Sequence, residues 1–109
     1  MTTLSLHPLA RADIRNVLAR TLADYGVRQF ERYEQLIEKA LEVIASRPER
    51  GHPCNYPVAH LLKFRIERRG RRARHFFLYR VQGEETQVLR FLDDAVDVSR
   101  HLLEEWRGP

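Results

Sequence analysis

The sequence predicts an α+β domain in which a helical hairpin packs on a small antiparallel sheet, in the order β-α-α-β-β-β with a C-terminal helical turn. Three observations predict it. Two apolar stripes of helical spacing, parted by Gly26, occupy residues 8–47. Three short strand-like runs joined by glycine-bearing links occupy residues 62–92. Charge divides along the same line: from residue 63 through 80 eight cations face the single acid Glu67, an excess of +7 in a chain of net +4, so the remainder is net −3.

Thr3 to His7 alternates apolar with polar residues and reads as a first strand. Pro8 suits the first turn of a helix, where a missing N–H is no loss. Ile14, Val17, Leu18, Thr21, Leu22 and Tyr25 then recur at helical spacing, which predicts one buried face ending at Gly26. A second helix carries Phe30, Tyr33, Ile37, Ala40, Leu41 and Ile44 on one side and Glu31, Glu34, Glu38 and Glu42 on others, and Pro48 stops it near Arg47. So short a turn makes the two helices nearly antiparallel.

Residues 48–61, with three prolines and a glycine, read as an irregular loop tacked to the core by Tyr56 and Leu61. The run 62–67 alternates, placing Leu62, Phe64 and Ile66 on one face and Lys63, Arg65 and Glu67 on the other. His75 to Val81 is apolar at both parities, as a central strand covered on both faces would be. Val88 to Leu92 is the last strand, and strand one is expected to pair away from the 62–67 strand. After a polar break at 93–97, Val98 to Trp106 reads as a short helix with Val98, Leu102 and Trp106 on one side.

At 109 residues this is a single domain, 1–109, with no internal repeat. No run approaches the about 18 apolar residues of a membrane span. The first residues lack the basic lead and apolar run of a secretory signal. One cysteine, Cys54, excludes an internal disulfide and fits the reducing cytoplasm. Flanked by Pro53 and Asn55, it is an ordinary loop residue rather than a nucleophile. The five histidines are scattered and none shares metal-ligand spacing with another His or with Cys54, and no glycine-rich phosphate loop occurs, so neither metal nor cofactor is expected.

Several segments in this order resemble the ParE/RelE superfamily of toxin–antitoxin toxins, on the ParE (plasmid stabilisation) side. They are Ala12-Asp13-Ile14, Tyr25-Gly26, the spaced Phe30, Tyr33 and Leu41, and Arg47-Pro48-Glu49-Arg50-Gly51. Leu62-Lys63-Phe64-Arg65, Phe77-Leu78-Tyr79-Arg80 and Val88 to Leu92 running into Asp97 and His101-Leu102 complete the set. The resemblance implies a toxin that binds and poisons DNA gyrase without chemistry of its own, silenced by a cognate acidic antitoxin in a hetero-oligomer. It departs from the family after the last strand: where ParE-like chains carry a His, then an Arg and a Met, this chain has Asp93, Ala95 and Val96.

The alternative implied by the RelE side is a ribosome-dependent endoribonuclease acting on messenger RNA, which needs a base, an acid and cations around the phosphate. Relatives of that kind carry an Arg near the start of the central strand and another after the last strand. Phe76 and Ala95 stand in those places here. His75, Tyr79 and Arg65 remain as candidate catalytic groups, beside Lys63 and Arg90. A third reading is a small basic nucleic-acid-binding domain using the ribbon as its contact.

The basic ribbon supplies candidate target-binding residues: Lys63, Arg65, Arg71, Arg72, Arg74, Arg80 and Arg90. Five arginines between 68 and 74 with no acid among them repel one another unless a polyanion or acidic partner is near. Two helices over so small a sheet leave part of their apolar stripes unburied, and such patches mark partner sites. Tyr33, Ile37 and Leu41 are accordingly the candidate antitoxin-binding residues.

Overall fold

The computed structural model describes residues 3–54, 60–68 and 71–93. Its elements are β1 (Thr3–Leu6), α1 (Pro8–Tyr25), α2 (Val27–Ser46), a 3-10 turn (Pro48–Arg50), β2 (His52–Cys54), β3 (Leu61–Arg68), β4 (Arg71–Gln82) and β5 (Glu85–Asp93). They form one five-stranded sheet in the order β1-β5-β4-β3-β2. Both helices lie on one face. The C-terminal helix expected at Val98 to Trp106, the break at 94–97 and Tyr56 fall outside the described residues.

The α+β class, the helical hairpin and the placing of β1 away from β3 agree with the sequence reading. Two features correct it. The sheet is mixed rather than antiparallel, because β1 pairs in parallel with β5, Thr3 opposite Glu85 through Leu6 opposite Val88. The segment read as an irregular loop also contains the 3-10 turn and a fifth strand: His52 pairs with Lys63 and Cys54 with Leu61. Pro53 masks such a strand in the sequence, yet on a sheet edge its missing N–H costs the ladder nothing.

β1 stops at Leu6 because the next residues start a helix. The His7 imidazole Nδ1 accepts from the Leu9 N–H at 3.0 Å, and Pro8 fills the first helical position. Gly26, at φ +88°, then reverses the chain with one residue, its N–H bonding the Leu22 carbonyl at 3.0 Å. A side chain at that φ would be strained, so glycine is what permits the tight hairpin.

The core lies between the hairpin and the sheet. Ala10, Ile37, Ala40 and Ile44 from the helices meet Ile66, Phe77, Tyr79, Val88 and Phe91 from the strands. Leu62 and Phe64 pack on it as the alternation of β3 predicts. A second buried cluster, Leu61, Phe76, Leu78, Leu89 and Leu92 with Cys54 at its margin, occupies the opposite parity. β4 is therefore apolar at both parities because it is buried on both faces.

The buried stripe of α1 is shorter than its periodicity suggests. Ile14, Val17 and Leu18 reach the core, but Leu22 is 43% and Tyr25 72% exposed. Asp13 already lies beside Phe91, two residues before the end of β5. The twelve further residues of α1 extend about 18 Å beyond that point, so its last turns overhang the sheet and have nothing there to pack on.

One buried group is unsatisfied among the described residues: the Thr86 hydroxyl, with Thr86 fully buried on β5. Thr86→Val keeps the shape and removes the desolvation cost. It is expected to raise stability by about 1 kcal/mol in urea denaturation. A loss of stability would mean that the hydroxyl has a partner.

Candidate functional site

Lys63, Arg65, Arg74 and Arg80 line the sheet face opposite the helices, because alternate residues of β3 and β4 project there. The Lys63 ammonium stands 4.1 Å from the centroid of the buried Phe76 ring, and the Arg65 guanidinium 5.7 Å from it. Cation–π attraction thus holds two cations close together on a rigid strand. Arg80 donates through Nε to Gln87 at 2.8 Å, and Arg74 reaches Asp93 at 3.3 Å with its side chain 73% exposed. Arg71 and Arg72 pair in register with Arg68 and Glu67 at the start of β4. The side chains of Arg68, Arg71 and Arg72 lie outside the described part of the molecule.

Arg90 does not belong to this face. It is 5% exposed and locked to Asp13, Nε to Oδ2 at 2.7 Å and a second guanidinium nitrogen to Oδ1 at 2.9 Å. The same carboxylate accepts the Phe91 N–H at 2.9 Å. β1 covers β5 only as far as Val88, so the backbone beyond it needs another acceptor, and Asp13 on α1 supplies one. Arg90 is thus a structural ion pair, not a surface for a target.

Tyr79 is likewise removed from the catalytic candidates. It is fully buried, and its hydroxyl donates to the Pro48 carbonyl at 2.6 Å. Burial pushes the hydroxyl up to about 12; the Gly51 N–H opposes this and the charge of Glu49 adds to it. A folded value above the unfolded one of about 10 contributes stability that is complete below pH ~10 and lost as pH rises through ~12. Wild-type stability is therefore expected to fall across that window more steeply than that of Tyr79→Phe. Parallel curves for the two proteins would overturn this account.

His75 is held on several sides. Nδ1 lies 2.5 Å from the Tyr33 hydroxyl, the ring stacks on Phe91 at 5.2 Å, and Nε2 is 3.8 Å from Asp93. Three elements, α2, β4 and β5, thus meet at one imidazole. The arrangement is that of a strand-end residue fixed by local bonds, and it joins a candidate catalytic residue to a candidate antitoxin-binding one. Ile37 is 3% exposed and is core, while Tyr33 and Leu41 are partly buried along the margin of the core. Among the described residues no three His, Cys, Asp or Glu side chains could hold a metal.

Sequence reasoning assigned no role to Asp13, Gly51 or Asp93 as positioning residues. Their partners lie 77, 28 and 18 positions away, and no local pattern announces contacts that the sheet creates.

The family model described as "ParE toxin of type II toxin-antitoxin system, parDE" matches residues 4–98. The chain belongs to the ParE toxin family. Toxin ParE1 from two strains of Mycobacterium tuberculosis is 32% identical over 98 residues, covering 89% of this chain and 94% of the relative. A solved structure titled "Chromosomal ParDE TA system from P. aeruginosa" superposes with a TM-score of 0.71 at 20% identity, over 85% of this chain and 96% of the other. At that identity the likeness concerns the fold: two helices on a mixed five-stranded sheet. Several ParE-like segments also have a physical reason here. Ala12-Asp13-Ile14 carries the acceptor for Arg90 and the edge of β5, and the Arg47 to Gly51 segment forms the turn that Tyr79 pins.

Proposed function

We propose that this ParE-family chain is the toxin of a type II pair and acts by binding DNA gyrase, with a cognate acidic antitoxin holding it silent. The observation that carries the reading is the family match along residues 4–98, on a fold that keeps the ParE element order. The geometry of the chemical candidates favours binding over catalysis. Tyr79 and Arg90 are committed to internal bonds and His75 to local ones, whereas Lys63, Arg65, Arg74 and Arg80 form a basic face suited to recognition. Arg71 and Arg72, candidates from the sequence, add their charge to the target contact in this reading. The antitoxin covers the margin between α2 and the sheet around Tyr33 and Leu41, in a toxin–antitoxin hetero-oligomer. A gyrase target places the toxin in the cytoplasm, and no described helix is long and apolar enough to cross a membrane.

Expressed without its antitoxin, the chain is expected to arrest growth, and the purified protein to inhibit gyrase supercoiling while leaving messenger RNA intact. Lys63→Gln with Arg65→Gln should weaken inhibition, and more so at low salt, because charges of this kind act mainly on association. Ribosome-dependent cleavage of a transcript by the wild-type protein would instead establish the endoribonuclease reading.

A further inference from the structure

The turn between α2 and β2 is fixed more firmly than an exposed turn ordinarily is. The buried Tyr79 hydroxyl grips the Pro48 carbonyl, the Arg50 N–H bonds Arg47 at 3.0 Å, and the Gly51 N–H bonds Pro48 at 3.3 Å. Gly51 is buried directly against Tyr79. On the outside of this clamped turn stand two exposed arginines, Arg47 and Arg50. Exposed His52 follows, and its register partner is Lys63. Residues paired across strands project to the same face, so the two side chains leave neighbouring positions on one face. Phe76 holds Lys63 from below.

None of these four groups has an ion-pair partner among the described residues, and Glu49 is the one acid in the segment 47–52. Their backbone attachment points follow one another in steps of roughly 5–7 Å, the order of the separation between neighbouring phosphates on one strand. We infer that this corner, Arg47, Arg50, His52 and Lys63, is a preformed contact for the phosphate backbone of a nucleic acid. Rigidity matters here because a clamped backbone leaves only side-chain freedom to be lost on binding. An acidic peptide fits less well. An added strand would need a regular row of backbone donors, and the edge strand β2 has Pro53 at its centre. A partner that reads charge alone has no such requirement.

The test uses the full chain and a fluorescent DNA duplex of arbitrary sequence, with anisotropy read from 50 to 200 mM salt. Three to four phosphate contacts predict that wild-type affinity falls roughly 40- to 150-fold across that range. Arg47→Gln with Arg50→Gln removes two contacts, so the fall should shrink to roughly tenfold or less. A control pair on α1, Arg11→Gln with Arg20→Gln, removes the same charge from exposed positions elsewhere and should keep the wild-type salt slope. No binding at 50 mM salt, or an equal loss of slope in the control pair, would overturn the proposal. So would binding of polyglutamate that Arg47 and Arg50 support while the DNA affinity ignores them, since that result assigns the corner to an acidic protein. Gyrase is absent from the assay, so its outcome is independent of the toxin reading.

Discussion

Replacing Gly51 by alanine is expected to destabilise the fold by about 3 kcal/mol, the sum of an overpacking cost and a lost buried hydrogen bond. A Cβ at this position would fall on the Tyr79 hydroxyl and stand only 2.8 Å from the ring carbon that bears it. Tyr79 has no room to yield, because it is fully buried in the core, with Leu62 on β3 and Val88 on β5 as its register partners. Either the 3-10 turn lifts away or the Tyr79–Pro48 bond breaks. Tyr79→Phe removes the nearer of the two atoms, so Gly51→Ala should cost distinctly less in that background. Urea denaturation of the two single variants and the double variant measures this coupling. A Gly51→Ala variant within 0.5 kcal/mol of wild type, a bound of roughly the size seen for unremarkable surface changes, would refute the clamp.

The second large effect concerns Asp13. Asp13→Ala leaves the Arg90 guanidinium buried without its counter-charge and takes the acceptor from the Phe91 N–H, and is expected to cost about 3–5 kcal/mol. Adding Arg90→Met removes the stranded charge and should restore part of the loss, because a buried pair breaks at greater cost than it is replaced. The experiment also separates two roles for Arg90. If Arg90 is structural, toxicity of its variants falls only in step with the folded fraction. A folded, stable Arg90 variant that has lost toxicity would return it to the target-binding surface.

Both effects act on function through geometry rather than contact. Asp13 fixes α1 against β5 where β1 no longer covers it, and α1 carries α2 and hence Tyr33 into position beside His75. Gly51 and Tyr79 fix the turn that leads α2 into β2, and with it the setting of the basic corner.

What the sequence determined by itself was set by local periodicity and composition. The stripe on α2 names its buried residues Ile37, Ala40 and Ile44, the double parity of residues 75–81 names the central strand, and Gly26 names the hairpin. These properties are legible because each is written within a few turns or one strand, where the 3.6- and 2-residue periods leave no ambiguity about facing. The ordered ParE-like segments added the family. Only the tertiary structure decided which candidates are free to act. Arg65, on β3, and Arg90, on β5, look alike as arginines in strand runs, yet one lies on the face away from the helices and the other is buried against Asp13 of α1, which packs on β5. Ile37 and Tyr33 share a helical stripe, and the register of α2 on β4 makes one core and gives the other the His75 imidazole. The parallel pairing of β1 and the short strand β2 were hidden for the same reason: strand partners are chosen by surfaces far apart in the chain, whose contacts exist only once the hairpin has closed over the sheet.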